Sequence, residues 1–361
     1  MSVPVHFPTA LTAADRAQQT FDALIANYWN EHQGLFEIRV PVVPAEHDLP
    51  SDPFHYWWQA HALDSLVDAF MRDGNALHLQ RAARLLEIIE RQNASLTNDY
   101  YDDMGWLALA ALRAWDASLN PVFKHAALTL WADIQGGWND HCGGGIAWRK
   151  PQPDYKNTPA NAPAVILAAR LYARFGDPAD LAWAQRIFGW LETHLVDPAS
   201  GFVWDGMNRL SDGATDRDWA FTYCQGVTVG AALELHRMTG KPEYLAAAQR
   251  TARSARAQLA DPVTQVMPEE GGGDAGLFKG ILVRYLAQLV QVTGDESIRD
   301  WLKTNADAAW NHRDPASGLS GRSWQTTPQF PLDLTAALSG VMLFEQMAAL
   351  NLDADDPGRD T

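Results

Sequence analysis

Hydrophobic residues recur at helical spacing along most of the chain. Twelve segments carry apolar residues at positions i, i+3 and i+4, which is the pattern of an amphipathic helix, and little of the chain alternates as a strand would. The segments form six pairs, in which the first member is more polar and the second is richer in Ala, Leu, Val and aromatic residues. The first members are predicted over residues 12–29, 76–92, 121–134, 178–194, 242–259 and 296–310. The second members are predicted over residues 54–71, 102–115, 157–175, 222–238, 277–292 and 333–349.

Proline and glycine mark the boundaries of these segments. Pro121, Pro178 and Pro242 stand at first helical turns, where the missing N–H is not needed. Glycines suited to helix C-termini follow several second members, namely Gly74, Gly176, Gly240 and Gly294. The sequence Asp-Pro-Ala-Ser-Gly occurs at both 197–201 and 314–318, after first members. The chain therefore repeats a helical hairpin with a period of about 60 residues.

The links between the helices differ in length. Those from a second member to the next first member are short, and those from a first to a second member are long and rich in Gly, Asp and Trp. Six hairpins with their long loops on one side predict an all-α fold, an (α/α)6 barrel with a cleft on the long-loop side. An open solenoid is the alternative. We expect residues 1–352 to form a single domain and residues 353–361 a disordered tail.

The charge and composition of the chain limit the classes of molecule that it can bind. The 361 residues include 44 Asp and Glu against 28 Lys and Arg, a formal charge of −16, which disfavours a nucleic acid partner. No apolar run is long enough to span a membrane. The first residues lack a secretory signal, so we expect a cytoplasmic protein unless a leader has been removed. We also expect a monomer.

Tryptophan is abundant, and its flat face suits stacking on sugar rings. Of the 15 tryptophans, several lie in predicted loops rather than in helical stripes, namely Trp138, Trp148, Trp204 and Trp324. These side chains either line a cleft or pack into the core.

The chemically most informative stretch is residues 98–106, Asn-Asp-Tyr-Tyr-Asp-Asp-Met-Gly-Trp, at the start of the second inner helix. Asp is common at helix N-termini for structural reasons. Adjacent carboxyls such as Asp102 and Asp103, however, disfavour joint ionisation. We expect the pKa of one to rise and that of the other to be held down by the helix N-terminus. An acid paired with a carboxylate is what glycoside hydrolysis needs.

The same stretch resembles the double-Asp signature of glycoside hydrolase family 76, the endo-α-1,6-mannanases. Further stretches that fit this family in order are Cys142-Gly-Gly-Gly-Ile-Ala-Trp, Tyr155-Lys-Asn with Asn161, Val203-Trp-Asp-Gly, Phe221-Thr-Tyr-Cys-Gln-Gly-Val and Gly276-Leu-Phe-Lys-Gly-Ile. The resemblance covers roughly residues 50 to 345. The chain departs from the family pattern at Leu107, Ala162 and Cys224, which suggests altered subsites.

The resemblance implies a retaining hydrolase acting on α-1,6-linked mannosides. Asp102 then matches the nucleophile, Asp103 the general acid/base, and Asp205 a sugar-binding position. The other expected substrate-binding residues are Tyr101, Trp148, Asn157, Tyr223 and Gln225. The expected partner is an oligosaccharide or polysaccharide, and no cofactor is implied.

Two other functions remain open at this point. One is an (α/α)6 sugar epimerase, whose proton-transfer bases would be His, with His55, His61, His141 and His236 as candidates. The other is a non-catalytic glycan-binding protein, which needs the aromatic cleft but no carboxyl pair. No metal-binding motif and no dinucleotide-binding glycine motif is present in the sequence.

Overall fold

The computed structural model describes residues 11–41 and 54–350. The predicted tail, 353–361, lies outside the described residues. Twelve α-helices occur within the described ranges: α1 (Ala13–Tyr28), α2 (Tyr56–Asp73), α3 (Ala76–Gln92), α4 (Tyr101–Ser118), α5 (Pro121–Gln135), α6 (Thr158–Phe175), α7 (Pro178–His194), α8 (Thr222–Thr239), α9 (Pro242–Leu259), α10 (Phe278–Thr293), α11 (Glu296–Asn311) and α12 (Leu334–Ala349). Seven short strands accompany them: β1 (Trp29–Asn30), β2 (Leu35–Phe36), β3 (Arg39–Val40), β4 (Ala147–Arg149), β5 (Gln152–Asn157), β6 (Gly206–Met207) and β7 (Leu332–Asp333).

The helices begin and end where the local chemistry predicts. At the start of α1, the Thr12 hydroxyl accepts a hydrogen bond from the Asp15 N–H at 3.0 Å, and the Asp15 carboxylate accepts one from the Thr12 N–H at 2.9 Å. The helices α5, α6, α7 and α9 carry Pro in the first turn. Gly74 ends α2 with φ of 69°, in the left-handed region that glycine adopts without strain.

The even-numbered helices form a closed inner ring. Each packs against the next even-numbered helix, and α12 packs back against α2. The odd-numbered helices lie outside, with α1 on α12 and each of the others on the inner helix that precedes it in the chain. The predicted (α/α)6 barrel is confirmed, and an open solenoid is excluded because α12 closes on α2.

The two ends of the barrel differ in the length of their loops. The described links from inner to outer helices are two residues long, as between α2 and α3, whereas those from outer to inner helices include 136–157, 195–221, 260–277 and 312–333. The three-stranded antiparallel sheet β4-β5-β6 lies within these long links, and β3 pairs with β7 just before α12. The long loops therefore gather at the N-terminal ends of the inner helices, which we call the mouth. None of the helices in the described ranges is both long and apolar enough to cross a bilayer.

Candidate active site

A cleft of about 740 Å³ opens at the mouth. Its walls come from the first turns of the inner helices and from the long loops. The aromatic residues lining it are Phe54, Tyr56, Trp57, Tyr100, Trp106, Trp148, Tyr155, Trp219, Tyr223 and Phe278. The charged residues lining it include Asp99, Asp102, Asp103, Asp205, Arg209 and Asp274. Flat apolar faces interspersed with carboxylates suit a sugar, which offers both C–H faces and hydroxyl groups.

Asp102 and Asp103 lie side by side in the first turn of α4, and both are half-buried in the cleft. The Asp102 carboxylate accepts one hydrogen bond from the indole N–H of Trp148 at 3.0 Å and another from the backbone N–H of Asp103 at 3.0 Å. The Asp103 carboxylate accepts one from the side-chain amide of Asn98 at 3.1 Å. All of these donors are neutral, so neither carboxylate is compensated by a cation in a direct hydrogen bond.

The pKa values of Asp102 and Asp103 differ in one respect from those expected from the sequence. Burial raises the pKa of Asp103 to about 7, against the Asn98 hydrogen bond that lowers it. Burial, followed by the charge of Asp103, also raises the pKa of Asp102. The prediction that the helix N-terminus holds one pKa down is wrong, because the hydrogen bonds from Trp148 and the backbone do not offset desolvation. Two such neighbours favour a state with a single proton between them.

Asp205 lies in the same cleft and is only 3% exposed. Its two carboxylate oxygens accept hydrogen bonds from different tyrosines, Oδ1 from Tyr223 at 2.7 Å and Oδ2 from Tyr155 at 3.0 Å. Burial raises the pKa of Asp205, while the two phenols lower it. The thiol of Cys224 lies 3.5 Å from Oδ1. The sequence departure at Cys224 is therefore next to the candidate site, whereas Leu107 and Ala162 are buried in the barrel core.

The structure brings most of the predicted site residues together, but not all. Trp148, Asn157 and Tyr223 line the cleft with the three aspartates. The Asn157 side chain also caps α6, accepting a hydrogen bond from the N–H of Ala160.

Tyr101 and Gln225 do not line the cleft. Tyr101 is buried beside Gly137, whose missing Cβ leaves room for the phenol ring. Gln225 is fully buried and bonds both the N–H and the carbonyl of Val203, which ties α8 to the preceding loop. Both side chains therefore support the fold beside the cleft, and a contact of either one with substrate stays a prediction.

The four candidate histidines are dispersed. His55 lines the cleft and stacks on Trp58 with ring centroids 3.8 Å apart. His61 is buried among charged groups below Trp106, and burial lowers its pKa to about 3. His141 is exposed, and His236 bonds the carbonyl of Lys241 at the far end of α8. No pair of these histidines lines the cleft, which counts against the epimerase.

Sequence reasoning missed several cleft residues. Trp57 and Trp106 lie on inner helices, where their helical spacing resembles that of core residues. Both indole N–H groups of the neighbours Trp57 and Trp58 donate to Oδ1 of Asp274, at 2.9 and 2.7 Å. A usable signal exists: Trp57, Tyr223 and Phe278 all fall in the first turn of an inner helix, at the mouth.

Of the four loop tryptophans, Trp148 lines the cleft and the others lie elsewhere. Trp138 packs on Arg186, Trp204 on Phe202, and Trp324 is buried beside Lys279. In the part of the chain that the structure describes, no group of three or more His, Cys, Asp or Glu is arranged to hold a metal ion.

Comparison with known proteins gives one consistent result. The sequence pattern of glycosyl hydrolase family 76 matches residues 12–355. An inactive variant of an α-1,6-mannanase from Salegentibacter sp. HEL1_6, with two aspartates replaced by asparagine and solved in complex with α-1,6-mannotriose, is 37% identical. That match covers 94% of this chain and 99% of the other, with a TM-score of 0.87. The Lin0763 protein from Listeria innocua is 35% identical over 95% of this chain and 99% of its own, with a TM-score of 0.90.

The curated relatives are more distant and longer. A mannan endo-1,6-alpha-mannosidase of Candida glabrata is 25% identical, and the match covers 72% of this chain and 64% of the relative. The chain thus spans less than two thirds of the length of that yeast relative.

Proposed function

The chain belongs to glycosyl hydrolase family 76, and on that basis we propose that it is a retaining glycosidase that cleaves α-1,6-linked mannosides. The observation that carries this proposal is the pair Asp102 and Asp103, which share one cleft, are contacted there by neutral hydrogen-bond donors and have raised pKa values. The inactive double variant of the Salegentibacter mannanase and its bound mannotriose support the same reaction and substrate class.

The hydrogen bonds favour one division of roles. Asp102 accepts two N–H donors and Asp103 one, and these bonds favour placing the charge of a singly ionised pair on Asp102. Burial and the charge of Asp103 act against this by raising the pKa of Asp102, so the division of roles rests on the hydrogen bonds and on the family resemblance. Asp102 then attacks the anomeric carbon, and the glycosidic bond breaks as Asp103 gives its proton to the leaving oxygen. In the second step Asp103 takes a proton from water, which displaces Asp102 and regenerates both groups.

Asp205 serves as the sugar-binding carboxylate in this proposal. The phenols of Tyr155 and Tyr223 fix both of its oxygens, so that its orientation is set before a substrate arrives. A buried carboxylate is a strong acceptor for hydroxyl groups, and preorganisation lowers the entropic cost of binding. The flanking aromatic faces of Trp148 and Trp219 would stack on neighbouring sugars.

The proposal is tested by replacing each catalytic carboxyl singly, as Asp102→Asn and Asp103→Asn, and measuring reducing-sugar release from linear α-1,6-mannan. Each variant should lose roughly 10²–10⁴-fold in kcat, the usual contribution of a positioned acid or base. Asp300→Asn, an exposed position on α11, is the matched control and should retain full activity. NMR of the first product should show the α-anomer, because two displacements restore the configuration.

A different outcome would favour one of the other functions. Mannooligosaccharide binding without any release of reducing ends by the wild type would indicate the glycan-binding protein. Interconversion of free sugars would indicate the epimerase. Release of the β-anomer first would contradict the retaining mechanism while leaving hydrolysis intact.

A further inference from the structure

The inner helix α8 starts without a cap of its own. Its N-cap residue is Phe221, which has no side-chain acceptor for the free N–H groups of the first turn. Glu270, in the loop that precedes α10, supplies the missing acceptors. Its Oε1 accepts the N–H of Thr222 at 2.7 Å, and its Oε2 accepts the Thr222 hydroxyl at 2.5 Å. A carboxylate 48 residues further along the chain therefore caps the N-terminus of α8.

Glu270 is itself held in a low-dielectric setting. Burial raises the pKa of Glu270 to about 7, whereas the hydrogen bonds with Thr222 and the charge of Lys279 lower it. Lys279 is 2% exposed, donates to the carbonyl of Arg322 and lies 4.5 Å from the ring of Trp324. A carboxylate that has lost most of its water depends on its remaining hydrogen bonds, so the contact with Thr222 is a strong local restraint.

The restraint acts next to the cleft. Tyr223, the residue after Thr222, donates its hydroxyl to Oδ1 of Asp205 at 2.7 Å. Its ring stacks on Phe278 with the centroids 3.9 Å apart and the planes 5° from parallel. Phe278 in turn precedes Lys279, so Glu270 and Lys279 both adjoin the residues that form this stacked pair.

The loop after Glu270 is restrained as well. Gly273 donates its N–H to Asp333 at 2.9 Å, and the Asp274 carboxylate accepts both indole N–H groups of Trp57 and Trp58. The segment 270–274 is thus tied to α8 at one end and to α2 at the other. Such a segment holds Glu270 in place instead of letting it follow the motions of α8.

We propose that Glu270 is a positioning residue for the reaction: by capping α8 it keeps the Tyr223 hydroxyl on Asp205, and thereby fixes the Asp205 carboxylate for the sugar. This inference rests on the proposed function. Without the cap, the first turn of α8 frays, Oδ1 of Asp205 loses its phenol and keeps only the weak contact with the Cys224 thiol, and the carboxylate is free to rotate about the bond from Tyr155.

The first experiment compares Glu270→Gln with its exposed neighbour Glu269→Gln, a control that also removes a negative charge acting on Lys279 but leaves the contact between Glu270 and Thr222 intact. Affinity for α-1,6-mannotriose is measured by calorimetry in an Asp103→Asn background, so that hydrolysis does not interfere. In Glu270→Gln one charged acceptor becomes an NH2 donor and the other a neutral carbonyl oxygen, so the charge-assisted bonds with Thr222 are lost and binding should weaken about tenfold. Glu269→Gln should stay within about twofold. Equal affinity for the two variants would overturn the proposal.

A second experiment separates positioning from mere structural support. Tyr223→Phe removes the hydroxyl through which Glu270 is proposed to act, so in that background Glu270→Gln should change the affinity by no more than about twofold. A full tenfold loss in both backgrounds, or a fall in melting temperature with unchanged affinity, would overturn the positioning role.

The outcome for the proposed function is read separately from the wild type. If the wild type cleaves α-1,6-mannan while Glu270→Gln binds normally, only the positioning role fails. If the wild type binds mannotriose without cleaving it, the hydrolase proposal fails and the affinity comparison still decides the role of Glu270. If the wild type does neither, both proposals are overturned.

Discussion

Two groups of carboxylates on the inner helices have opposite surroundings. At the mouth, Asp102 and Asp103 accept hydrogen bonds from an indole, an amide and a backbone N–H. Deeper in the barrel, Asp64 and Asp68 on α2 share two arginines. Arg284 bonds Asp68 at 2.6 and 3.0 Å and Asp64 at 3.0 Å, and Arg113 bonds both aspartates.

The direction of the pKa shift in each group is decided by the charge of the neighbouring side chains and not by burial. Desolvation acts at both Asp64 and Asp103 and by itself raises the pKa of each. At Asp64 the charges of Arg113 and Arg284 overcome it and lower the pKa to about 2, whereas at Asp103 no cation does so and the pKa rises to about 7. The same residue type is therefore a structural ion in one part of the barrel and a candidate proton donor in another, and the difference is the countercharge.

The largest change in stability is expected when a cation of the deep group is removed. Arg284→Met leaves Asp64 and Asp68 with only Arg113, so the free energy of unfolding should fall by about 3–5 kcal/mol, the cost of an uncompensated buried charge. Urea denaturation at pH 7.5 measures it. Arg253→Met, at an exposed position on α9, is the control and should change stability by less than about 0.5 kcal/mol. A loss no larger than that of the control would mean that Arg113 alone compensates both aspartates.

At the mouth the sign of the stability effect is reversed. The folded-state pKa of Asp103 lies above its unfolded value, so the native protein loses stability as the pH rises from about 4 to about 7. Asp103→Asn removes that loss. After discounting for its partial exposure, we expect the variant to exceed the wild type by on the order of 1–3 kcal/mol at pH 8, with little gain at pH 4.5.

The deep group supplies the matched variant for this prediction. The pKa of Asp64 is lowered in the folded state, so its stabilising contribution is present above about pH 4 and is lost as the pH falls towards 2. Asp64→Asn should therefore destabilise the protein at pH 8. If both variants changed stability in the same direction, the contrast between the two groups would be wrong.

The fold was predictable because its signals are local. Pro178 and Gly176 mark helix ends within two residues of where α7 begins and α6 ends, and the alternation of polar and apolar helices separates the outer from the inner ring. The closure of the ring follows from six equal hairpins. The pairing of β3 with β7 was not predictable, since two-residue strands carry no pattern and their partners are far apart in the chain.

The candidate site was predictable only in part. The doublet Asp102-Asp103 stands out because two acids begin a helix beside aromatic residues. The local sequence does not show, however, that Asp64 and Asp68 have a cationic partner, because Arg284 lies more than 200 residues away from them in the sequence. The indole N–H groups that contact Asp274 come from equally distant positions. Countercharges supplied by the tertiary structure decide which of these acids has a raised pKa and which a lowered one.

A smaller effect is expected from the indole at the mouth. The N–H of Trp148 lowers the pKa of Asp102, so Trp148→Phe should raise that pKa and move the acidic limb of the kcat/KM profile to higher pH by roughly half to one unit. At pH 5 this is a loss of up to about tenfold. Trp204→Phe, a loop tryptophan away from the cleft, should leave the limb in place. A uniform loss at all pH values would instead indicate stacking on the sugar.

The smallest expected effect comes from Asp274, whose negative charge raises the pKa of Asp103 across the cleft. Asp274→Asn keeps an acceptor for the indoles of Trp57 and Trp58 but removes the charge, so the pKa of Asp103 falls. The alkaline limb of kcat/KM should then move to lower pH by about 0.3–0.5 unit. Because Asp274 is exposed, 0.5 M salt should shift the wild-type limb in the same direction and leave the variant unchanged. If the alkaline limb moved to higher pH instead, Asp274 would act on Asp103 through its indole contacts and not through its charge. Repulsion between carboxylates would then not contribute to the difference in pKa between the acids at the mouth and the arginine-paired acids deeper in the barrel.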